Sequence, residues 1–460
     1  MKYREEQDTM GTVRVPEVAY YGAQTQRAKD NFSISDLRFP SVFYRVLGMI
    51  KKHAAQVNLD LGLIGSEPAE AIITACEEMI KGQFDDQFVI DVFQTGSGTS
   101  TNMNANEIIA GRANELITGK RGGKSPVHPN DHVNRGQSSN DVIPSAIHIA
   151  VLTELNDCLI PAMAHLQKTI TEKSKEFKEI RKIARTHLQD AVPMSLGEAF
   201  SGYARQVEIG VERIKALETT LGELALGGTA VGTGVNTHPD FASKVIVGIS
   251  EETGCAFREA RNHFEAQAAQ DSAAETSSAL KTFAVSLIKI ANDIRWLSSG
   301  PRCGLGEINI PDLQPGSSIM PGKVNPVIPE VVLQVAGQVI GNDSAITYGA
   351  QAGNFELNVM LPLIAYNLLQ SVQLLTTSST AFADKCIRGI MANQDKCASN
   401  LEQSLSLVTA LVPEIGYDKA AAMAKEANNT GKSVREVAKE ARVLSEDEID
   451  EILNRMISGK

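Results

Sequence analysis

The sequence contains no C-x-x-C pair. Its six cysteines, Cys76, Cys158, Cys255, Cys303, Cys386 and Cys397, are scattered over 460 residues, so zinc-ribbon and dithiol redox spacings are absent and reduced, buried thiols are expected. Basic residues are in deficit: 44 Lys and Arg against 55 Asp and Glu leave a net charge of −11, which disfavours nucleic acid or an anionic membrane as partner. No uncharged apolar run approaches the ~20 residues that span a bilayer. The opening MKYREEQDTM is charged from its second residue and offers no signal-peptide core. A cytoplasmic, soluble protein is expected. Internal repeats are not evident, and alternating β-branched runs are few, so the fold is expected to be mostly α.

Nucleotide fingerprints are missing too. GKRGGKS (119–125) is one residue short of a phosphate loop and follows no strand pattern. GGTAVGTG (227–234) lacks the G-x-G-x-x-G spacing and follows a helical pattern. QTGSGTSTN (94–102) matches neither. All three are expected to connect helix ends, where unpaired N–H groups and small hydroxyls can hold a carboxylate.

What is present is a long helical middle. Phe283, Leu287, Ile290, Ile294 and Leu297 recur at steps of four and three, as do Val207, Val211, Ile214, Leu217, Leu221 and Leu224, the pattern of helix-on-helix seams. The polar residues beside them, such as Lys281, Lys289, Asp293 and Arg295, are moderate in number, which points to helices buried on more than one side, hence a large bundle and an oligomer. At 460 residues the chain exceeds one ordinary core, and 43% apolar with 22% charged residues is the balance of a folded soluble protein. Three zones are expected: 1–138 with Gly- and Pro-rich binding loops, 139–394 with the long helices, and 395–460 with shorter, more charged ones. Ser445 followed by Glu448 reads as a capping box, with Leu444 and Ile449 as its hydrophobic staple.

Against the negative total, neutral donors cluster. Ser97, Gly98, Thr99 and Asn102 form one group, and Ser138, Ser139 and Asn140 in QSSND form another ahead of an apolar helical segment. Several helix starts converging on one small dianion would reconcile anion binding with the overall charge; plain N-capping is the alternative reading. Among eight histidines, His148 and His165 fall inside helical patterns. His187, in ARTHLQDAVP, sits beside Thr186 at an expected break between two helical stretches, where it can exchange protons near neutrality. His128 heads HPND, a rigid turn with Pro129, Asn130 and Asp131 that reads as a second polar pocket or only a turn. GSSIMPGKVNP (316–326) holds one lysine, two serines and no acid in an otherwise helical region.

With these blocks the chain resembles the fumarase/aspartase superfamily, and more closely its class II fumarases. GSSIMPGKVNP is similar to the superfamily's signature loop, and TGSGTSTNMNANE, HPND, QSSND, RTHLQDAVP, ALGGTAVGTGVNTHP and GNFELNV look like the fumarase versions of the other shared blocks, nearly end to end. His128, Gly322 and GNFELN favour fumarase over aspartate ammonia-lyase, whereas GKSVREV (431–437) looks aspartase-like. The resemblance implies an all-α, three-domain fold whose central helices form one bundle in a homotetramer, with active sites shared between subunits. It implies Ser317 as the base, with His187 and Glu330 handling the hydroxyl or water. Ser97, Gly98, Thr99, Ser138, Ser139, Asn140, Thr186, Ser318, Lys323 and Asn325 would bind a small dicarboxylate, and His128 to Asp131 a second one. Neither metal nor organic cofactor is implied, and no iron–sulfur cysteine pattern is present. Aspartate ammonia-lyase and an idle helical scaffold are the alternatives.

Overall fold

The computed structural model describes residues 2–459. The chain groups into two compact units. One takes the chain up to Pro161, with Glu212–Ala284 and Ala336–Thr376; the other comprises Ala162–Val211, Val285–Val335 and the chain from Thr377 onward.

The first unit opens with an antiparallel hairpin, Tyr3–Asp8 against Gly11–Pro16. Its core is built on the helix Ser41–Asp60, where Phe43, Leu47, Ile50 and Ala54 form one fully buried stripe, the spacing that turns a helix into a packing face. This helix packs on Ser66–Ile80, Ser139–Glu154 and Phe241–Thr253. The helix Thr99–Thr118 is unusual inside: Ser100, Thr101, Asn102, Asn104, Asn106, Glu107 and Asn114 are all buried. Such a polar interior persists only where hydrogen bonds satisfy it.

The second unit carries the antiparallel hairpin Arg181–Thr186 against Gln189–Ser195, with an irregularity between Ile183 and Arg185. Below it lies a buried carboxylate. Glu307 is fully enclosed and accepts from Arg185 at 2.6 and 3.1 Å and from Asn400 at 3.1 Å, with Lys182 Nζ 3.4 Å away. Near the C-terminus Leu407, Leu411, Met423, Val434, Val437, Ile449 and Leu453 make a separate apolar cluster. The capping box forms there as expected: Ser445 Oγ accepts from Glu448 N, and Glu448 Oε2 accepts from Ser445 N.

The fold is all-α, its strands confined to short two-stranded pairings among the described residues. The seam from Phe283 to Leu297 is buried at every position along the 27-residue helix Asp271–Leu297, a rod of about 40 Å. The second seam outruns its helix. Leu196–Ala216 ends before Leu217; Leu221 closes a four-residue turn, and Leu224 belongs to the strand Glu223–Leu224, parallel to Arg258–Glu259. GGTAVGTG thus follows a two-residue strand, where a helix was expected; apolar period alone does not distinguish the two. Among the described residues one helix, Ser139–Glu176 counted through its π turn, has the length and hydropathy to cross a membrane, and 61% of its qualifying 18-residue window is buried inside the protein.

Candidate active site

In the first unit, QSSND becomes the start of the helix Ser139–Glu154. Ser138 is its N-cap, accepting from Asn140 N at 3.2 Å, and Asp141 completes a capping box by accepting from Ser138 N at 2.9 Å. The other oxygen of the buried Asp141 accepts from Gly227 and Thr229 N–H at 3.0 and 2.9 Å. Burial pushes the Asp141 carboxyl up, against the pull of those three N–H donors. Asn140 Nδ2 reaches Ala230 O at 2.8 Å. QSSND and GGTAVGTG are therefore one folded piece.

TGSGTSTN leads into the neighbouring helix start. Gly98 takes φ +71° as N-cap, and a Cβ there would meet Ile143 at 3.0 Å. Ser97 and Thr99 hydroxyls are 2.8 Å apart. The expected supply of unpaired N–H groups is smaller than the sequence suggests. Ser100 N donates to Thr95 Oγ1 and Thr101 N to Gln94 Oε1, so side chains already cap this turn. What remains for an anion is mainly side-chain chemistry: the Ser97–Thr99 pair, Ser139 and Asn140. Ser139 is 8% exposed, and its Oγ accepts from Asn102 Nδ2 at 3.0 Å, which leaves the hydroxyl hydrogen to donate elsewhere.

HPND forms a π turn, Pro129–Val133, capped by His128, whose Nδ1 accepts from Asn130 and Asp131 N–H, both at 3.2 Å. Its backbone N–H donates to His132 Nδ1 at 2.9 Å. Asn130 and Asp131 are exposed and Pro129 buried, so the turn is rigid with two side chains facing outward.

In the second unit, the break at His187 is the tip of the hairpin, not a gap between helices. His187 and Leu188 take φ +56° and +60°, the two left-handed positions of a two-residue hairpin turn usually given to Asn-Gly. Holding two bulky residues there is strain of a kind that clusters at functional sites. Thr186 and His187 are exposed.

GSSIMPGKVNP closes on itself. Gly316 N donates to Lys323 O and Asn325 Nδ2 to Gly316 O, both at 2.7 Å. A Cβ at Gly316 would lie 2.6 Å from Lys323 O, so only glycine permits this closure. The Ser317 oxygen accepts two backbone N–H groups, Ile319 at 3.2 Å and Met320 at 2.9 Å. Lys323, Asn325 and Glu330 line a cavity of about 970 Å³ together with Asn292, Arg295 and Asp312. Ser318 is exposed. Among the described residues the side chains of His187, Lys323 and Glu330 have no hydrogen bond or ion pair to another side chain, which leaves all three free for a ligand or a second chain.

The expected residues thus fall into two sets, Ser97, Gly98, Thr99, Ser138, Ser139 and Asn140 in one unit and Thr186, His187, Ser317, Ser318, Lys323, Asn325 and Glu330 in the other. Sequence reasoning missed the supports beneath them. Asp141 and Glu307 anchor loops from inside, and Lys51 lies buried next to an apolar stripe, a burial of which KKH gives no sign.

Family comparisons agree with this geometry. A family described as "Lyase" matches residues 11–341, and one described as "Fumarase C C-terminus" matches 407–456. The chain is similar to a class II fumarate hydratase of Nitrosomonas europaea, 52% identical over 98% of this chain and 97% of the other. It is likewise similar to one of Halobacterium salinarum, 55% identical over 98% and 96%. The crystal structure of a class II fumarase from Schistosoma mansoni superposes with a TM-score of 0.96 at 42% identity, covering 99% of this chain and 98% of the other.

Proposed function

The chain belongs to the class II fumarate hydratase family of lyases, and on that premise we propose that it adds water reversibly and in anti fashion to fumarate, giving (S)-malate, as a step of the tricarboxylic acid cycle in the cytoplasm. The observation that carries the reading is Ser317. A serine is a poor base unless its alkoxide is stabilised, and here two backbone N–H groups already point at its oxygen in a loop with one lysine and no acid. Hydrogen bonds to the charged form lower a pKa.

In the dehydration direction Ser317 takes a proton from C3 of malate. The electron pair loads one carboxyl group as an aci-carboxylate before forming the double bond. Lys323 and Asn325 stabilise that charge; fixed donors of this kind are worth about 10²–10³ in rate each. His187, polarised by Glu330, gives a proton to the leaving hydroxyl, which departs as water. Ser97, Gly98, Thr99, Ser138, Ser139, Asn140, Thr186 and Ser318 hold the carboxylates, and the His128–Asp131 turn takes a second dicarboxylate. Base, acid and charge sink are all side chains, so the chemistry calls for no metal or organic cofactor.

The unit of function is a homotetramer in which several chains contribute to each site, built on the three-domain division at 138/139 and 394/395. The separate apolar cluster from Leu407 to Leu453 supports the last boundary. The test is ultraviolet absorbance of the fumarate double bond after adding malate or aspartate to purified protein. Signal with malate is expected; signal with aspartate alone would make this an ammonia-lyase, and none with either an idle scaffold.

A further inference from the structure

Lys51 lies in the middle of the helix Ser41–Asp60 with no exposed surface. Its Nζ donates to Asn134 Oδ1 at 2.8 Å and Gln137 Oε1 at 2.9 Å; among the described residues it has no ion-pair partner. A buried ammonium held only by neutral acceptors is costly, and surface lysines have no such problem. The same Asn134 Oδ1 accepts from Asn102 Nδ2 at 3.3 Å and Asn106 Nδ2 at 3.2 Å, and Asn102 Nδ2 also donates to Ser139 Oγ at 3.0 Å. Asn134 Nδ2 holds Gln137 O, and Gln137 Nε2 holds Val133 O. One buried network therefore joins Lys51 to the end of the HPND turn and to the Ser139 hydroxyl.

We propose that Lys51 is a proton-linked positioning residue for the dicarboxylate clamp: through Asn134 and Asn102 its ammonium sets the Ser139 hydroxyl as a donor to the ligand, and binding of the dianion draws a proton onto Lys51. This rests on the reading of Ser138 to Asn140 as part of that clamp.

Burial lowers the Lys51 ammonium to a pKa of about 7, with Asp141 and Cys76 opposing weakly. The charged and titratable groups around it are few. Asp141 faces it from the helix Ser139–Glu154. Cys76 does so from Ser66–Ile80, its thiol pushed far up by burial and hence neutral. His132, on the π turn, is held below its ordinary value by burial. On Thr99–Thr118 the buried acid, Glu107, accepts from Gly22, Gln24 and Thr25. Glu252 of Phe241–Thr253 is paired with Lys52 and His53. Asp141 pulls the Lys51 proton affinity up without forming an ion pair with it among the described residues, so an arriving dianion still changes that affinity. Linkage fixes the sign: the ligand prefers protonated protein, so affinity falls as pH rises above about 7, by up to roughly tenfold per unit. Dicarboxylate ligands are themselves fully ionised there.

Titration calorimetry with succinate, which has no hydroxyl to lose, in buffers of different ionisation enthalpy tests this. Wild type is expected to take up close to one proton per site at pH 8 and little at pH 6. Lys51→Met is expected to take up none at either pH and to raise KM more than it lowers kcat, with Lys51→Gln as the second variant should the first not fold. A purely structural lysine would move stability and leave the proton count unchanged. Absent uptake in wild type, or uptake persisting in both variants, overturns the proposal. Ser139→Ala separates the two readings: unweakened succinate binding overturns the clamp itself, whereas weakened binding with uptake that ignores Lys51 overturns the proton linkage alone.

Discussion

Ser317 is half-buried, and its oxygen already receives two N–H donors, so removing the hydroxyl costs little folding energy and all of the proposed base. Ser317→Ala is expected to lower kcat by at least about 10²-fold with KM nearly unchanged, the signature of a group acting only in the transition state. His187→Asn should behave similarly. Steady-state kinetics on malate checks both, and near-normal kcat in either removes that residue from the mechanism. At this scale the candidate site was legible as a proposal, because serines and asparagines without acids are conspicuous in a chain of net charge −11. Lys51 was not legible. Its burial depends on Asn134 and Gln137, more than eighty residues away, and one lysine followed by another in KKH reads as solvated surface.

Elements decide whether those side chains are held. The hairpin bearing His187 is pinned through Arg185 to Glu307. Burial works to raise the Glu307 carboxyl, but the Arg185 hydrogen bonds and the Lys182 and Arg185 charges outweigh it and hold it low. Burial lowers Lys182 against the pull of Glu307, and Arg185, with its two hydrogen bonds, is the partner that matters. A depressed carboxyl stabilises above its unfolded pKa of ~4.3 and loses that contribution as pH falls through the folded value. Hydrogen-exchange protection factors in 181–195 should therefore fall on acidification below about pH 4. Glu307→Gln should weaken the hairpin already at pH 7, by about 3–5 kcal/mol as for a broken buried pair, and flatten that acid limb. On the other unit, a Cβ at Gly96 would lie 1.8 Å from Val359 O, backbone against backbone, and Leu361 N donates to Gly96 O. Gly96→Ala is expected to displace the TGSGTS turn, lowering Tm and raising KM for malate; an unchanged melt would mean this contact is not a constraint. Helices were the legible elements because the 3.6 period is local. The tip at His187 was read only as a break, since its turn violates the usual residue preference, and the second seam was overrun because apolar spacing carries no stop signal at Ala216.

For the whole molecule, the free side chains of His187, Lys323 and Glu330 and the exposed Phe355 at φ +52° fit a chain that finishes its sites in an assembly. The seams read as helix-on-helix packing; the copy number proposed for the assembly rests on resemblance alone, because periodicity records that a face is covered and not by how many chains. Shared sites have a consequence that separate sites do not. In Ser139→Ala subunits the clamp is damaged and Ser317 is intact; in Ser317→Ala subunits the reverse holds. If each site draws these two serines from different chains, co-expressed variants assembling at random regain wild-type pairs in about a quarter of sites, although either variant alone is nearly inactive. If both serines come from one chain, every site keeps one lesion and mixing restores nothing. Differently tagged variants, purified through both tags and assayed on malate, distinguish the two, with sedimentation fixing the copy number. Recovery well above the parents is the expected outcome, and recovery that vanishes when the variants are purified separately and mixed cold would show that it needs subunits exchanged during assembly.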